Sequence, residues 1–166
     1  VTPQRNADEF AVFVSFNVEK LTETLNARAD RFCTFLLILL GSAVFGSMAD
    51  TFWLGFAVAS TAAVQFVWRF GEAAGAAGSQ KQRYALLLGC MSSLSDSDLA
   101  AELERIQEHD SRPLSAIEAI AFNKACLMRG QSDQMKPLPT PARMLAPFIG
   151  GHPCGSSLRR GSASSF

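Results

Sequence analysis

Two apolar runs, residues 32–49 and 52–68, stand almost back to back with only Asp50 and Thr51 between them, and neither carries a charged side chain. A helix that crosses a bilayer needs about 17–25 largely apolar residues, because each adds roughly 1.5 Å against a hydrocarbon core about 30 Å thick. Both runs meet that requirement. A core helix of a soluble domain keeps one polar face, whereas these runs are apolar all round. In a chain of 166 residues too few other apolar side chains remain to wrap two such helices on every side. The first run starts late, after a long polar-rich segment, and a second follows at once, which argues against a cleaved signal peptide. The expected fold class is all-α: an integral membrane helical hairpin with helical cytoplasmic segments.

The flanks give an orientation. Lys20, Arg28 and Arg31 precede the first run, Arg69, Lys81 and Arg83 follow the second, and the connection holds no Lys or Arg. Basic residues near membrane ends stay on the cytoplasmic side, so both termini are expected inside, in a multi-pass protein of the cell inner membrane. Trp53 and Trp68 sit at opposite ends of the second run, where an indole satisfies both its ring and its N–H at the headgroup boundary. The expected organisation is an N-terminal cytoplasmic helical segment at 1–31, a hairpin at 32–68, a cytoplasmic helical segment at 69–130 and a disordered tail at 131–166.

Small residues recur four apart in both runs: Ser42 and Gly46 in the first, Gly55, Ala59 and Ala63 in the second. Such stripes let helix backbones approach closely where lipid removes the hydrophobic drive. The stripe either closes the hairpin on itself or joins hairpins into a homo-oligomer. Thr61 and Gln65 share a face of the second run, and an amide in lipid requires a polar partner, so that face should look toward protein or water. Neither run contains Asp, Glu, His or Lys, which argues against an ion-coupled transporter.

The net charge of +0 offers no electrostatic reason to expect nucleic acid as a partner. Cys33, Cys90, Cys126 and Cys154 are scattered without paired spacing, and His109 and His152 stand alone in polar surroundings. No metal or cofactor site follows from them. No phosphate-cradling glycine loop and no nucleophile–His arrangement is readable, so catalysis is not expected.

Outside the runs, Phe10, Phe13, Asn17, Leu21 and Leu25 fall at helical spacing, although Phe10, Val12, Val14, Phe16 and Val18 also alternate as in a strand; the helix is favoured. The small-residue stretch 71–78 holds Gly71, Gly75 and Gly78 and reads either as a hinge or as a close helix crossing. Helices are expected over 80–91, from a Ser95/Asp98 capping pair through Leu99, Leu103 and Ile106, and from Pro113 in a first turn to a stop at Gly130. The last has Leu114, Ile117, Ile120, Ala121 and Leu127 along one side.

This order of parts resembles the SLATT group of bacterial and phage-borne two-span membrane effectors. The likeness lies in residues 25–47 (LNARADRFCTFLLILLGSAVFGS), 66–87 (FVWRFGEAAGAAGSQKQRYALL) and 111–130 (SRPLSAIEAIAFNKACLMRG), and covers residues 20–130. It is one of architecture, without a diagnostic catalytic motif. The resemblance implies an oligomerising, pore-forming or membrane-perturbing effector of a conflict system, with a separate nucleotide-sensing or signalling protein as trigger. The alternative is a non-conducting anchor or accessory, or a holin-like protein, of a mobile element or phage. The lipid bilayer is the partner common to both.

Overall fold

The computed structural model describes residues 2–46, 51–110 and 112–150. Among the described residues every regular element is helical: α1 (Pro3–Gly46), α2 (Thr51–Trp68), α3 (Phe70–Cys90), α4 (Asp96–Gln107), α5 (Ser115–Met128) and α6 (Thr140–Ile149), with single 3₁₀ turns at Met91–Ser93 and Ser132–Gln134. The all-α expectation holds. The chain divides into two compact units, one of Val1–Thr22 with Ala77–Phe166 and one of Glu23–Ala76.

Local chemistry explains where α1 begins. The Thr2 hydroxyl accepts from the Arg5 N–H at 3.2 Å, and Pro3 in the first helical position has no N–H to leave unpaired. The alternating pattern over 10–18 does not produce a strand. Val12, Asn17, Leu21 and Thr22 are buried at helical spacing instead, and the Asn17 amide donates to the Phe13 carbonyl one turn back at 2.8 Å. Arg5 fastens this end of α1 to the rest of its unit. Its guanidinium donates to the carbonyls of Met91 (2.7 Å) and Leu94 (2.8 Å) and to the Asp96 carboxylate (2.8 Å).

α3 is continuous through the glycine-rich stretch; a Cβ added at Gly71 would meet the Asp30 carboxylate at 3.6–3.9 Å, whereas one at Gly75 would meet nothing within 4 Å. Four alanines among the glycines keep the local cost tolerable, and Ala77 is fully buried. The chain breaks one turn earlier, at Arg69, whose φ of 45° is left-handed and separates α2 from α3.

The core of the first unit joins Val12 of α1, Tyr84 and Leu87 of α3, and Leu99, Leu103 and Ile106 of α4. Ser95 caps α4 as its spacing to Asp98 suggests, accepting from the Asp98 N–H at 3.2 Å. α5 begins at Ser115, so Pro113 precedes the helix rather than occupying its first turn. Ile117, Ile120 and Ala121 are buried, but Leu114 and Leu127 face outward; the inward face is completed by Ala116, Asn123, Ala125 and Cys126. Gly130 ends the helix at φ 69°, with its N–H on the Leu127 carbonyl (3.1 Å) and the Gln131 N–H on the Cys126 carbonyl (2.8 Å). This pair of bonds satisfies two carbonyls that the helix end would otherwise leave open.

The expectation of disorder from residue 131 onward fails for its first part. Ala142, Ala146 and Ile149 lie on one side of α6 and are buried, and α6 packs on α5. Pro147 sits in the last turn of α6, where it removes one backbone hydrogen bond, and Gly150 closes the helix at φ 71°. Cys154, His152 and the Arg159–Arg160 pair lie outside the described residues.

Candidate functional site

The unit Glu23–Ala76 carries its large apolar side chains on the outside. Phe32, Phe35, Ile38 and Leu39 of α1 are exposed, as are Phe52, Trp53, Phe56, Val67 and Trp68 of α2; Phe66 reaches 84% exposure. A helix in contact with water buries such groups and exposes polar ones. Here large apolar groups face outward, and the covered side is mostly apolar as well. Cys33, Leu36, Leu37 and Leu40 in α1 and Leu54, Ala57, Val58, Thr61 and Gln65 in α2 are half-buried, at intervals of three and four residues. A continuous exposed apolar surface of this kind marks contact with lipid or protein.

The small-residue stripe does not close the hairpin. Gly55, Ala59 and Ala63 are exposed, and a Cβ added at Gly55 would meet nothing within 4 Å. Ser42 is also exposed, and its hydroxyl turns back to the Ile38 carbonyl at 2.8 Å. Gly46 is the last residue of α1. The side of α2 that closes the hairpin is the one carrying Leu54, Val58, Thr61 and Gln65.

The two polar residues singled out in α2 have different roles. Thr61 bonds to the Ala57 carbonyl of its own helix at 2.9 Å. Gln65 reaches across to α1, its amide donating to the Asp30 carboxylate and the Thr34 hydroxyl, each at 3.2 Å. Sequence reasoning finds that Gln65 requires a partner but not which one. Asp30 and Thr34 lie one helical turn apart on α1.

At the exit of α2 the Trp68 ring stacks on Phe70, with centroids 6.4 Å apart, and Arg69 pairs with Glu72. At its start Trp53 meets Phe52 and Phe56 edge to face, at 5.6 and 6.5 Å. Arg28, Arg31 and Arg69 are exposed. Among the described residues no helix is long and apolar enough to cross a membrane, and no group of His, Cys, Asp and Glu side chains could hold a metal ion. The first apolar run is described only as far as Gly46; residues 47–50 lie outside the described part. His109 is exposed and Cys126 buried, its thiol pushed up by burial and by the charge of Asp133.

No family model, curated protein or solved structure matches this chain.

Proposed function

We propose that the chain is a small two-span protein of a bacterial or phage-infected cell's inner membrane, whose hairpin lies in lipid and self-associates as a membrane-perturbing, pore-forming effector. The observation that carries this reading is the outer surface of the hairpin, where Phe32, Phe35, Ile38, Trp53, Phe56, Phe66 and Trp68 are all exposed. Hydrocarbon is the solvent in which that arrangement costs least. The 18 residues of α2 extend about 27 Å at 1.5 Å each, a little short of a hydrocarbon core of about 30 Å. Spans this short favour little tilt and a locally thinned bilayer. Exposed Arg28, Arg31 and Arg69 at one end of the hairpin agree with both termini in the cytoplasm.

Self-association rests on Gly55, Ala59 and Ala63, a flat outward stripe that a second hairpin can approach closely. The resemblance to the SLATT group points the same way and implies a separate signalling partner. A second reading, a non-conducting anchor or accessory, draws on Gln65. Its amide is satisfied inside the hairpin by Asp30 and Thr34, so an aqueous lining along Thr61 and Gln65 requires that contact to open first.

Liposome reconstitution tests the effector reading. The wild-type chain is expected to stay with the membrane fraction without detergent, to crosslink as an oligomer and to release trapped dye. Gly55→Leu should stop release and crosslinking while leaving the hairpin intact, since the added side chain enters open space. A chain that inserts but remains monomeric in sealed liposomes leaves only the anchor reading. A chain that stays monomeric in the supernatant of detergent-free cells removes both.

A further inference from the structure

Buried Asn123 of α5 holds the backbone of Lys136, thirteen residues on, through two hydrogen bonds: its amide oxygen accepts the Lys136 N–H at 2.9 Å, and its amide nitrogen donates to the Lys136 carbonyl at 2.7 Å. The clamp sets where the Lys136 side chain departs. Its ammonium lies 4.6 Å from the centroid of the Phe122 ring, a position favoured by the negative face of the aromatic quadrupole.

Phe122 and Lys136 also line a cavity of about 650 Å³, within the usual size of small-molecule sites. Val14 and Val18 of α1, with Pro113 and Pro139, make its walls largely apolar. Asp110 forms part of the lining, and neutral groups hold its carboxylate. The single Tyr84 O–H is shared between its two oxygens, which lie 2.7 and 2.8 Å away, and Gln80 donates to one at 2.8 Å. A carboxylate offers about four lone-pair positions, so these donors leave acceptor capacity. Glu118 adds a second negative charge, and Lys136 is the one cation among the described lining residues.

We infer that this cavity binds a small organic cation, an ammonium on an apolar ring-sized body, with its charge between Asp110 and the Phe122 face that Lys136 now covers. Lys136 acts as a built-in occupant. It is exposed, so its ammonium can move to water when a ligand cation takes its place. Two carboxylates against one displaceable amine disfavour an anion. Every residue involved belongs to the unit Val1–Thr22 with Ala77–Phe166, so the inference is independent of the membrane reading.

The test uses the full chain in a neutral detergent and three probes of matched shape: phenethylamine, 2-phenylethanol and phenylacetate. Binding is measured by calorimetry against empty micelles. Phenethylamine should bind, 2-phenylethanol should bind about tenfold more weakly, a loss of roughly one charged contact, and phenylacetate should not bind. Lys136→Gln should tighten phenethylamine binding several-fold by removing the competing ammonium, whereas Glu118→Gln and Asp110→Asn should weaken it. Lys136 and Glu118 are exposed, so their variants report on the site even if Asp110→Asn fails to fold. Phenylacetate binding more tightly than phenethylamine, a loss of affinity in Lys136→Gln, or no phenethylamine binding up to its solubility would overturn the inference.

Discussion

The single hydroxyl proton of Tyr84 is shared between the two carboxylate oxygens of Asp110, which lie 2.7 and 2.8 Å from it, across 26 residues of sequence. Tyr84 is fully buried and is the only tyrosine in the chain. The contact joins the core of the first unit to the cavity beside it.

Burial, followed by the hydrogen bond to Asp110, raises the Tyr84 hydroxyl above its ordinary range. Tyr84→Phe should destabilise this unit by about 1.5–3 kcal/mol, the usual worth of a hydrogen bond to a charged group. Because the folded pKa lies above the unfolded one, the stabilisation is complete below about pH 10 and declines as the pH rises further. Unfolding followed by circular dichroism at neutral pH and again above pH 10 checks both parts: the wild-type advantage over Tyr84→Phe should shrink on the alkaline side.

Leu99 is fully buried among Tyr84, Leu103 and Ile106, whereas Leu86 on α3 is 74% exposed. Leu99→Ala should cost about 2–5 kcal/mol through lost burial and the cavity left behind. Leu86→Ala should stay within about 0.5 kcal/mol of the parent in the same denaturant titration.

Arg69 holds a left-handed backbone, φ 45°, in which a Cβ is crowded by the neighbouring carbonyl. Its ion pair with Glu72 is exposed and contributes little. Arg69→Gly should therefore exceed Arg69→Ala in stability by about 1 kcal/mol, since both lose the charge and only glycine relieves the crowding. Thermal melts of the two variants under identical detergent conditions decide this.

The Gln65 amide links α2 to Asp30 and Thr34 of α1, while the Thr61 hydroxyl serves only its own helix. A double-mutant cycle with Gln65→Leu and Asp30→Ala should return a coupling of about 0.5–3 kcal/mol. The same cycle with Thr61→Ala and Asp30→Ala should be additive. Equal couplings would mean that Gln65 does not bridge the helices.

The apolar runs, the Ser95 cap, the Leu99–Leu103–Ile106 face and the glycine stop at Gly130 were all legible in the amino-acid order. Each depends on partners three or four residues away, which chain connectivity supplies whatever the rest of the molecule does. The end of the second run at Trp68 was legible from its apolar composition, but the left-handed backbone of Arg69 that follows was not, because that conformation is locally unfavourable for any residue but glycine. Nor was α6: its composition of prolines and small residues suggests a loose tail, and its order comes from burying Ala142, Ala146 and Ile149.

Sequence determined that the described elements are helical and that the runs 32–49 and 52–68 carry no charged side chain. Only the tertiary structure decided that Gly55, Ala59 and Ala63 face outward, that Gln65 meets Asp30, and that Asp110, Phe122 and Lys136 surround one cavity. Periodicity says which residues share a face of a helix. It does not say which face is covered, because that depends on where distant segments come to rest and how much surface each can bury there.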